Sequence, residues 1–324
     1  MQQHPTLPFP IPLADIRAAR QRIAGTAIRT PLLRLDVDGV ELYVKLENLQ
    51  PIGSFKVRGA SNAMALADPA TLRDGVYTAS AGNMAQGVAW AASRLGIPCG
   101  VVVPDHAPRA KLDAIERLGA RIVPVTFDRW LQVLEDRGYP GMSGLFIHPF
   151  ADPAVIAGNA TIGLEVLEDL PDVTAVIAPY GGGGLSAGIA SAIKGTAPGV
   201  KVFAAEAETA APLAAALEAG RPVEVDYAPS WVDGMGSRFV FAEMWQMVST
   251  LVDGSIVVTL DQIADAVRLL VSRARVVAEG AGAASVSAAL TGRAGVGPIV
   301  AVVSGGNLDA TTLANILLGS SDLA

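Results

Sequence analysis

The chain has 324 residues, 51% hydrophobic and 17% charged, without a low-complexity tract. That is a globular composition, enough for about two domains or one large one, and excludes a disordered chain. A net charge of −7 with no lysine–arginine cluster excludes nucleic acid or an anionic membrane surface as the main partner.

The proline-broken start, Met1-Gln-Gln-His-Pro-Thr-Leu-Pro8, does not read as a signal peptide. From about Glu41 onward, short β-branched runs alternate with longer alanine-rich patterns. Strands are predicted at Leu42–Leu46, Gly75–Thr78, Gly100–Val103, Arg121–Val125, Ala175–Ala178, Lys201–Ala204 and Ile299–Val303. Helices are predicted between them, among others at Gly59–Ala67, Met84–Leu95, Ala107–Leu118, Ala154–Leu170, Leu185–Gly195 and Leu260–Arg273. Such alternation predicts βαβ units in an α/β fold, with strands buried on both faces. Its form is two doubly wound open sheets facing one cleft. A small domain at about 49–150 is expected as an insertion between residues 1–48 and 151–324 of a large one, crossing near His148-Pro-Phe-Ala-Asp-Pro153. Every apolar segment is interrupted well short of the roughly 20 residues that span a bilayer. The single cysteine, Cys99, reads as a strand thiol in a reducing, cytoplasmic setting. The histidines His4, His106 and His148 show no metal-ligand spacing, and no metal is expected.

Ligands of such sheets bind in loops at the carboxyl ends of strands, and four Gly-rich turns fall there. The first, Pro51-Ile-Gly-Ser-Phe-Lys56-Val-Arg-Gly59, sets one of only five lysines between a glycine turn and a helix start. An amine so placed serves as a Schiff-base former or a base, against the alternative of a solvated basic turn. The second, Ser80-Ala-Gly-Asn-Met-Ala-Gln86, offers helix-start N–H groups to a carboxylate, although Ser80 and Asn83 are also good caps. The third, Pro179-Tyr-Gly-Gly-Gly-Gly-Leu185, allows several N–H groups to converge on one phosphate. A strict GxGxxG fingerprint is not met, since the final glycine is replaced by Ser186 or Ala187; the looser form, with Glu206 downstream, leaves a dinucleotide as a rival at this turn alone. The fourth, Ser304-Gly-Gly-Asn307, presents an uncharged hydroxyl that suits a heteroaromatic nitrogen.

Lysine, phosphate cradle, carboxylate clamp and hydroxyl together describe pyridoxal 5′-phosphate (PLP) with an amino acid. The segment Lys45–Ala60 resembles the cofactor-lysine segment of fold-type II, tryptophan synthase β-like PLP enzymes. Ala79–Val88, the tetraglycine turn, Glu279-Gly-Ala-Gly-Ala283 and Ser304–Asn307 resemble the threonine/serine dehydratase branch in order and spacing, over about Arg29 to Asp309. The resemblance implies a PLP cleft between a large and a small domain. It implies Lys56 as the cofactor lysine, with Phe55 and Gly234 bracketing the pyridine ring. Gly181, Gly182, Gly183 and Gly184 would surround the phosphate. Asn83 would face the phenolic oxygen and Ser304 the ring nitrogen, with Glu279 near the cofactor or, alternatively, facing solvent. Ser80, Ala81, Gly82 and Asn83 would hold the substrate carboxylate, and Met84 stands where the branch usually has histidine. It further implies a homodimer or larger homo-oligomer and no fused regulatory domain.

The implied activity is that of an ammonia-lyase converting a 3-hydroxy amino acid to a 2-oxo acid and ammonia. Met84 leaves room for a substituent bulkier than that of threonine or serine, such as phenyl. Ala81 replaces the serine that reprotonates the opposite face in racemases; its methyl group cannot relay a proton, which favours elimination over racemisation. The racemase cation site is incompletely matched after Glu206, and Asn159 replaces a usual glutamine in a structural position. A racemase, a β-replacement synthase and a non-catalytic PLP carrier remain the competing readings.

Overall fold

In a computed structural model, which describes residues 7–320, the chain forms ten strands and thirteen α-helices among the described residues. The N-terminal signal-peptide reading over Met1–Thr6 and the residue His4 lie outside them. The first third runs α1 (Leu13–Arg22), β1 (Leu32–Leu35), β2 (Leu42–Lys45), α2 (Lys56–Leu66), α3 (Pro69–Leu72), β3 (Val76–Ala79), α4 (Asn83–Leu95) and β4 (Cys99–Pro104). Next come α5 (Arg109–Arg117), β5 (Arg121–Val125), α6 (Phe127–Asp136), β6 (Leu145–Phe146), α7 (Pro153–Asp169), β7 (Ala175–Pro179), α8 (Gly184–Thr196) and β8 (Lys201–Ala207). The rest is α9 (Pro212–Ala219), α10 (Ala242–Leu251), β9 (Gly254–Val258), α11 (Leu260–Leu269), α12 (Gly280–Leu290), β10 (Ile299–Val302) and α13 (Ala310–Leu318).

Two sheets result. The six-stranded one has the order β1-β2-β10-β7-β8-β9 and is parallel except for β1. The four-stranded one, β5-β4-β3-β6, is parallel throughout. Its strands all come from residues 76–146, whereas the large sheet draws strands from both sides of that stretch. β3, β7 and β10 are buried along their whole length, as parallel strands covered by helices on both faces must be. Alternate residues of β7 feed opposite cores: Val176 and Ala178 meet α7, α8 and α10, while Ala175 and Ile177 meet α11 and α12. Cys99 begins β4 half-buried, and burial pushes its thiol up to about 12, well away from a reactive thiolate.

All seven predicted strands are present, and three more accompany them. β1 and β9 are edge strands, and β6 has two residues, so none carries a long apolar run. The helix predicted at 260–273 ends earlier as an α-helix, at Leu269, and continues through a wider turn over Leu270–Ala274.

Candidate active site

Every turn singled out in the sequence leaves the carboxyl end of a strand and reaches one cleft of about 400 Å³. Phe55, Lys56, Ser80, Ala81, Gly82, Asn83 and Met84 line one side of it, with Gly181 to Gly184, Gly234, Glu279 and Ser304 completing the wall. Lys111 on α5 donates to Asp233 at its mouth, an ion pair joining the element after β4 to the loop that carries Gly234.

Lys56 opens α2, and backbone pairing holds the turn before it. Phe55 N–H donates to the Ser304 carbonyl (3.0 Å), Gly306 N–H to the Gly53 carbonyl (2.9 Å), and Asn307 Nδ2 to the Ile52 carbonyl (2.9 Å). The first and fourth motifs are thus one structural unit. Gly53 has φ of +69°, and a Cβ there would stand 2.7 Å from Asn307 Oδ1, so conformation and space both require glycine. Lys56 Nζ donates to the Pro149 carbonyl at 2.7 Å and lies 5.1 Å from the centre of the Phe55 ring. Burial in the cleft wall lowers its pKa to about 8, partly opposed by the negative charge of Glu279.

Two helices start at the cleft behind a glycine, without a side-chain cap. α4 follows Gly82, and α8 follows Gly183, whose φ is +89°. Their first-turn N–H groups lack intrahelical partners and carry the positive end of the helix dipole. By contrast α6, α7, α11 and α13 are capped by Thr126, Asp152, Thr259 and Asp309. In the tetraglycine turn, a Cβ on Gly182 would lie 2.3 Å from the Phe150 ring. Phe150 therefore fills the back of the turn and leaves its N–H side to the cleft. Asn159, buried on α7, reaches the Gly184 carbonyl at 3.4 Å, a supporting place away from the cleft wall.

Glu279 does not face solvent. It precedes α12, is 9% exposed, and accepts a hydrogen bond from Asn83 Nδ2 at 2.7 Å, while Asn83 Oδ1 accepts one from Asn307 at 2.7 Å. Burial raises the Glu279 carboxyl to about 7 despite the Asn83 bond. Ser304 is 2% exposed and lines the cleft. Glu206, which the sequence offers to a dinucleotide at the tetraglycine turn, is buried instead under α9. It accepts hydrogen bonds from the N–H groups of Leu213 and Ala214 (both 2.8 Å) and from Ser255 Oγ (2.6 Å).

Three contributors escape sequence reasoning. His148 figures there only as a histidine without metal-ligand spacing in a domain crossing, Pro149 contributes a carbonyl that no side-chain pattern reveals, and Phe150 reads as part of the same crossing. An aromatic cluster on the cleft wall, Phe127 stacked on Trp130 at 5.7 Å with His106 beside it at 6.1 Å, is legible as residue types but not as neighbours.

An aldehyde for the depressed amine, a phosphate for an uncapped helix start and a ring nitrogen for an uncharged hydroxyl are three parts of one small molecule. The cleft is that of a fold-type II, PLP-dependent α/β enzyme. The chain belongs to the pyridoxal-phosphate dependent enzyme family, whose pattern matches residues 23–305. It is 41% identical over 318 residues to an L-threonine ammonia-lyase of Thermotoga maritima, covering 95% of this chain and 78% of that one. It is 37% identical over 327 residues to the catabolic L-threonine dehydratase TdcB of Escherichia coli K12, covering 97% and 98%. Among solved structures, the processed form of threonine deaminase isoform 2 from Solanum lycopersicum superposes with a TM-score of 0.84 at 35% identity, covering 95% of this chain and 87% of that one. Maize serine racemase superposes with a TM-score of 0.87 at 32% identity, covering 96% and 98%.

Proposed function

We propose that this PLP-dependent lyase releases ammonia from a threonine- or serine-type 3-hydroxy amino acid, leaving a 2-oxo acid. The observation that carries the reading is the pair of glycine-led helix starts, α4 and α8, on the same cleft as the Lys56 amine. They are two anion sites, one for the cofactor phosphate and one for the substrate carboxylate. Gly181 to Gly184 take the phosphate; Ser80, Ala81, Gly82 and Asn83 take the carboxylate. Phe55 and Gly234 would bracket the ring, Ser304 Oγ would serve its nitrogen, and Asn83, held by Glu279, would serve its phenolic oxygen. Held in this cleft, the cofactor would supply an electron sink for the charge left by the departing α-proton. With its pKa lowered to about 8 and the Pro149 carbonyl directing it, the Lys56 amine, once the substrate amino group has displaced it, would accept that proton. Ser304, having no formal charge, does not hold the ring nitrogen protonated, which favours prompt loss of the β-hydroxyl.

A bulkier substrate is the second reading. Met84 cannot donate a hydrogen bond or ionise, but its side chain packs in the small-domain core with Met64, Val88 and Ile147; the Phe127–Trp130 stack on the cleft wall is what suits an aryl β-substituent. Racemisation is disfavoured by the methyl group of Ala81, which relays no proton. One assay tests these readings: the holoenzyme is given L-threonine, L-serine and 3-phenylserine, and ammonia, 2-oxo acid and enantiomer are measured. Enantiomer without 2-oxo acid overturns the dehydratase assignment.

The reading extends to a large unit of residues 1–48 with 151–324 and a small inserted unit of 49–150, testable by limited proteolysis. It also includes assembly as a homodimer or larger, testable by light scattering, and residence in the cytoplasm, in keeping with the unpaired Cys99.

A further inference from the structure

The segment 147–151 joins β6 to α7 and is held almost wholly by side chains. The Ile147 N–H bonds the Tyr77 carbonyl at 2.8 Å, and beyond it no backbone ladder continues. The Ile147 carbonyl accepts from Thr78 Oγ1 (2.8 Å), the Pro149 carbonyl from Lys56 Nζ (2.7 Å), and the Ala151 carbonyl from Arg137 Nη2 (2.6 Å). The N–H groups of Phe150 and Ala151 both point at His148 Nδ1, at 3.4 and 2.9 Å. Two backbone donors require a lone pair on Nδ1, so the ring proton sits on Nε2. Burial, together with the positive charges of Arg137 and Lys56, holds the His148 pKa well below its ordinary value, in keeping with a neutral ring. Nε2 faces Glu243 Oε1 of α10 at 3.7 Å, and the other Glu243 oxygen accepts from Arg137 at 2.9 Å. Phe150 packs edge-on against the His148 ring (centroids 4.5 Å apart) and fills the back of the tetraglycine turn.

We infer that His148 is a positioning residue for Lys56: its Nδ1 folds the 148–151 turn so that the Pro149 carbonyl aims the amine while Phe150 backs the glycine turn. One imidazole thereby fixes the spacing between the amine and the α8 start. The inference rests on Lys56 being the cofactor lysine.

The test compares His148→Asn, which keeps an acceptor at the δ position, with His148→Phe, which keeps a ring and loses the acceptor. Each cofactor-loaded variant is measured by the visible circular dichroism of its bound cofactor, by cofactor dissociation, and by kcat and KM. A misplacement of about 1 Å costs about 100-fold in rate, so the Phe variant is expected to lose roughly 10- to 100-fold in kcat with a smaller change in KM. Its visible dichroism should change and its cofactor affinity should fall, with the far-ultraviolet spectrum unchanged. The Asn variant should lie close to the wild type in all four. A folded Phe variant with wild-type dichroism and affinity overturns the inference, as does an Asn variant that behaves like Phe. Should the Phe variant not fold, His148→Gln, whose acceptor sits one bond further out, decides by the same readouts; failure of both to fold counts against the inference. Lys56→Ala is the control. If it keeps the wild-type cofactor spectrum, the Lys56 reading itself falls; if it loses that spectrum while the His148 variants leave it unaltered, only the role of His148 falls.

Discussion

Arg58 offers the sharpest test of what holds the Lys56 helix in place. Arg58 is 1% exposed, and its five N–H groups serve six acceptor contacts, Nη2 sharing its two among three: two to Glu47, two to Glu165, one to Thr161 Oγ1 and one to the Ile28 carbonyl. Lys45, wholly buried, pairs with Glu165 at 2.6 Å, so two cations and two carboxylates balance inside the protein. Arg58→Met keeps the aliphatic volume and removes the charge. Removing one partner from a buried ion pair costs about 3–5 kcal/mol, because the abandoned carboxylate stays desolvated. That is a large share of the roughly 5–15 kcal/mol that keeps a protein folded. The pH dependence should also reverse. Burial alone would raise the Glu47 carboxyl, but the charge and hydrogen bonds of Arg58 outweigh burial and hold it below its ordinary value. In the wild type, therefore, Glu47 contributes stability above the unfolded carboxyl range and loses it as pH falls through its folded value. Without Arg58 burial dominates, so the variant should weaken as pH rises above that range. Urea unfolding at pH 5 and pH 8 measures both effects. Adding Glu47→Leu should recover part of the loss, since the stranded charge is then gone. An Arg58→Met protein within about 1 kcal/mol of wild type, with the same pH slope, would refute the reasoning.

Lys56→Ala should fold normally, lose the visible absorbance of bound cofactor and release no 2-oxo acid; an active, coloured variant would show another residue to be the cofactor lysine. In the apoprotein, the pH dependence of Lys56 acylation, followed by mass spectrometry, should have its midpoint near 8 instead of the ordinary lysine value near 10.5. Gly182→Ala drives a methyl group into the Phe150 ring, at 2.3 Å; overpacking of this kind costs about 1–3 kcal/mol, and cofactor affinity measured by fluorescence titration should fall with it. Glu279, raised from about 4.5 to about 7, disfavours its own ionisation in the folded apoprotein. Its contribution to stability is therefore complete below about 4.5 and declines as pH climbs to 7, by about 3 kcal/mol at 1.36 kcal/mol per unit. Glu279→Gln should abolish that slope between pH 5 and pH 8 in chemical unfolding, and an unaltered slope would contradict the assignment.

The strands of both sheet interiors were legible because parallel strands covered on two faces must be continuous apolar runs, as Val101–Val103 and Ile299–Val303 are. β1 was not, because an edge strand reading Leu-Leu-Arg-Leu with two exposed central residues obeys no such rule. The cleft was legible because glycine-rich turns after strands have few other uses. What supports it was hidden. Lys45, Glu47, Arg58 and Glu165 look like surface residues in a chain, since charge predicts exposure until a partner is known. Their burial depends on four elements meeting, which no local pattern encodes. His148 escaped for a related reason: its partners are backbone N–H groups two and three residues onward, and no side-chain type announces them.

The strand order carries a consequence for how the molecule is made. β2 lies beside β10, pairing Leu42 with Ile299, so the middle of the large sheet waits for a strand more than 250 residues downstream to emerge from the ribosome. The four strands of the smaller sheet are contiguous in the chain and can associate long before that. Until β10 arrives, the inner edge of β2 stays unpaired, and the turn before Lys56 lacks the Ser304–Asn307 strand-like partner that shapes it. A nascent protein arrested before residue 299 should therefore expose a sticky sheet edge and bind no vitamin, which makes the emergence of β10 the moment when aggregation and assembly compete.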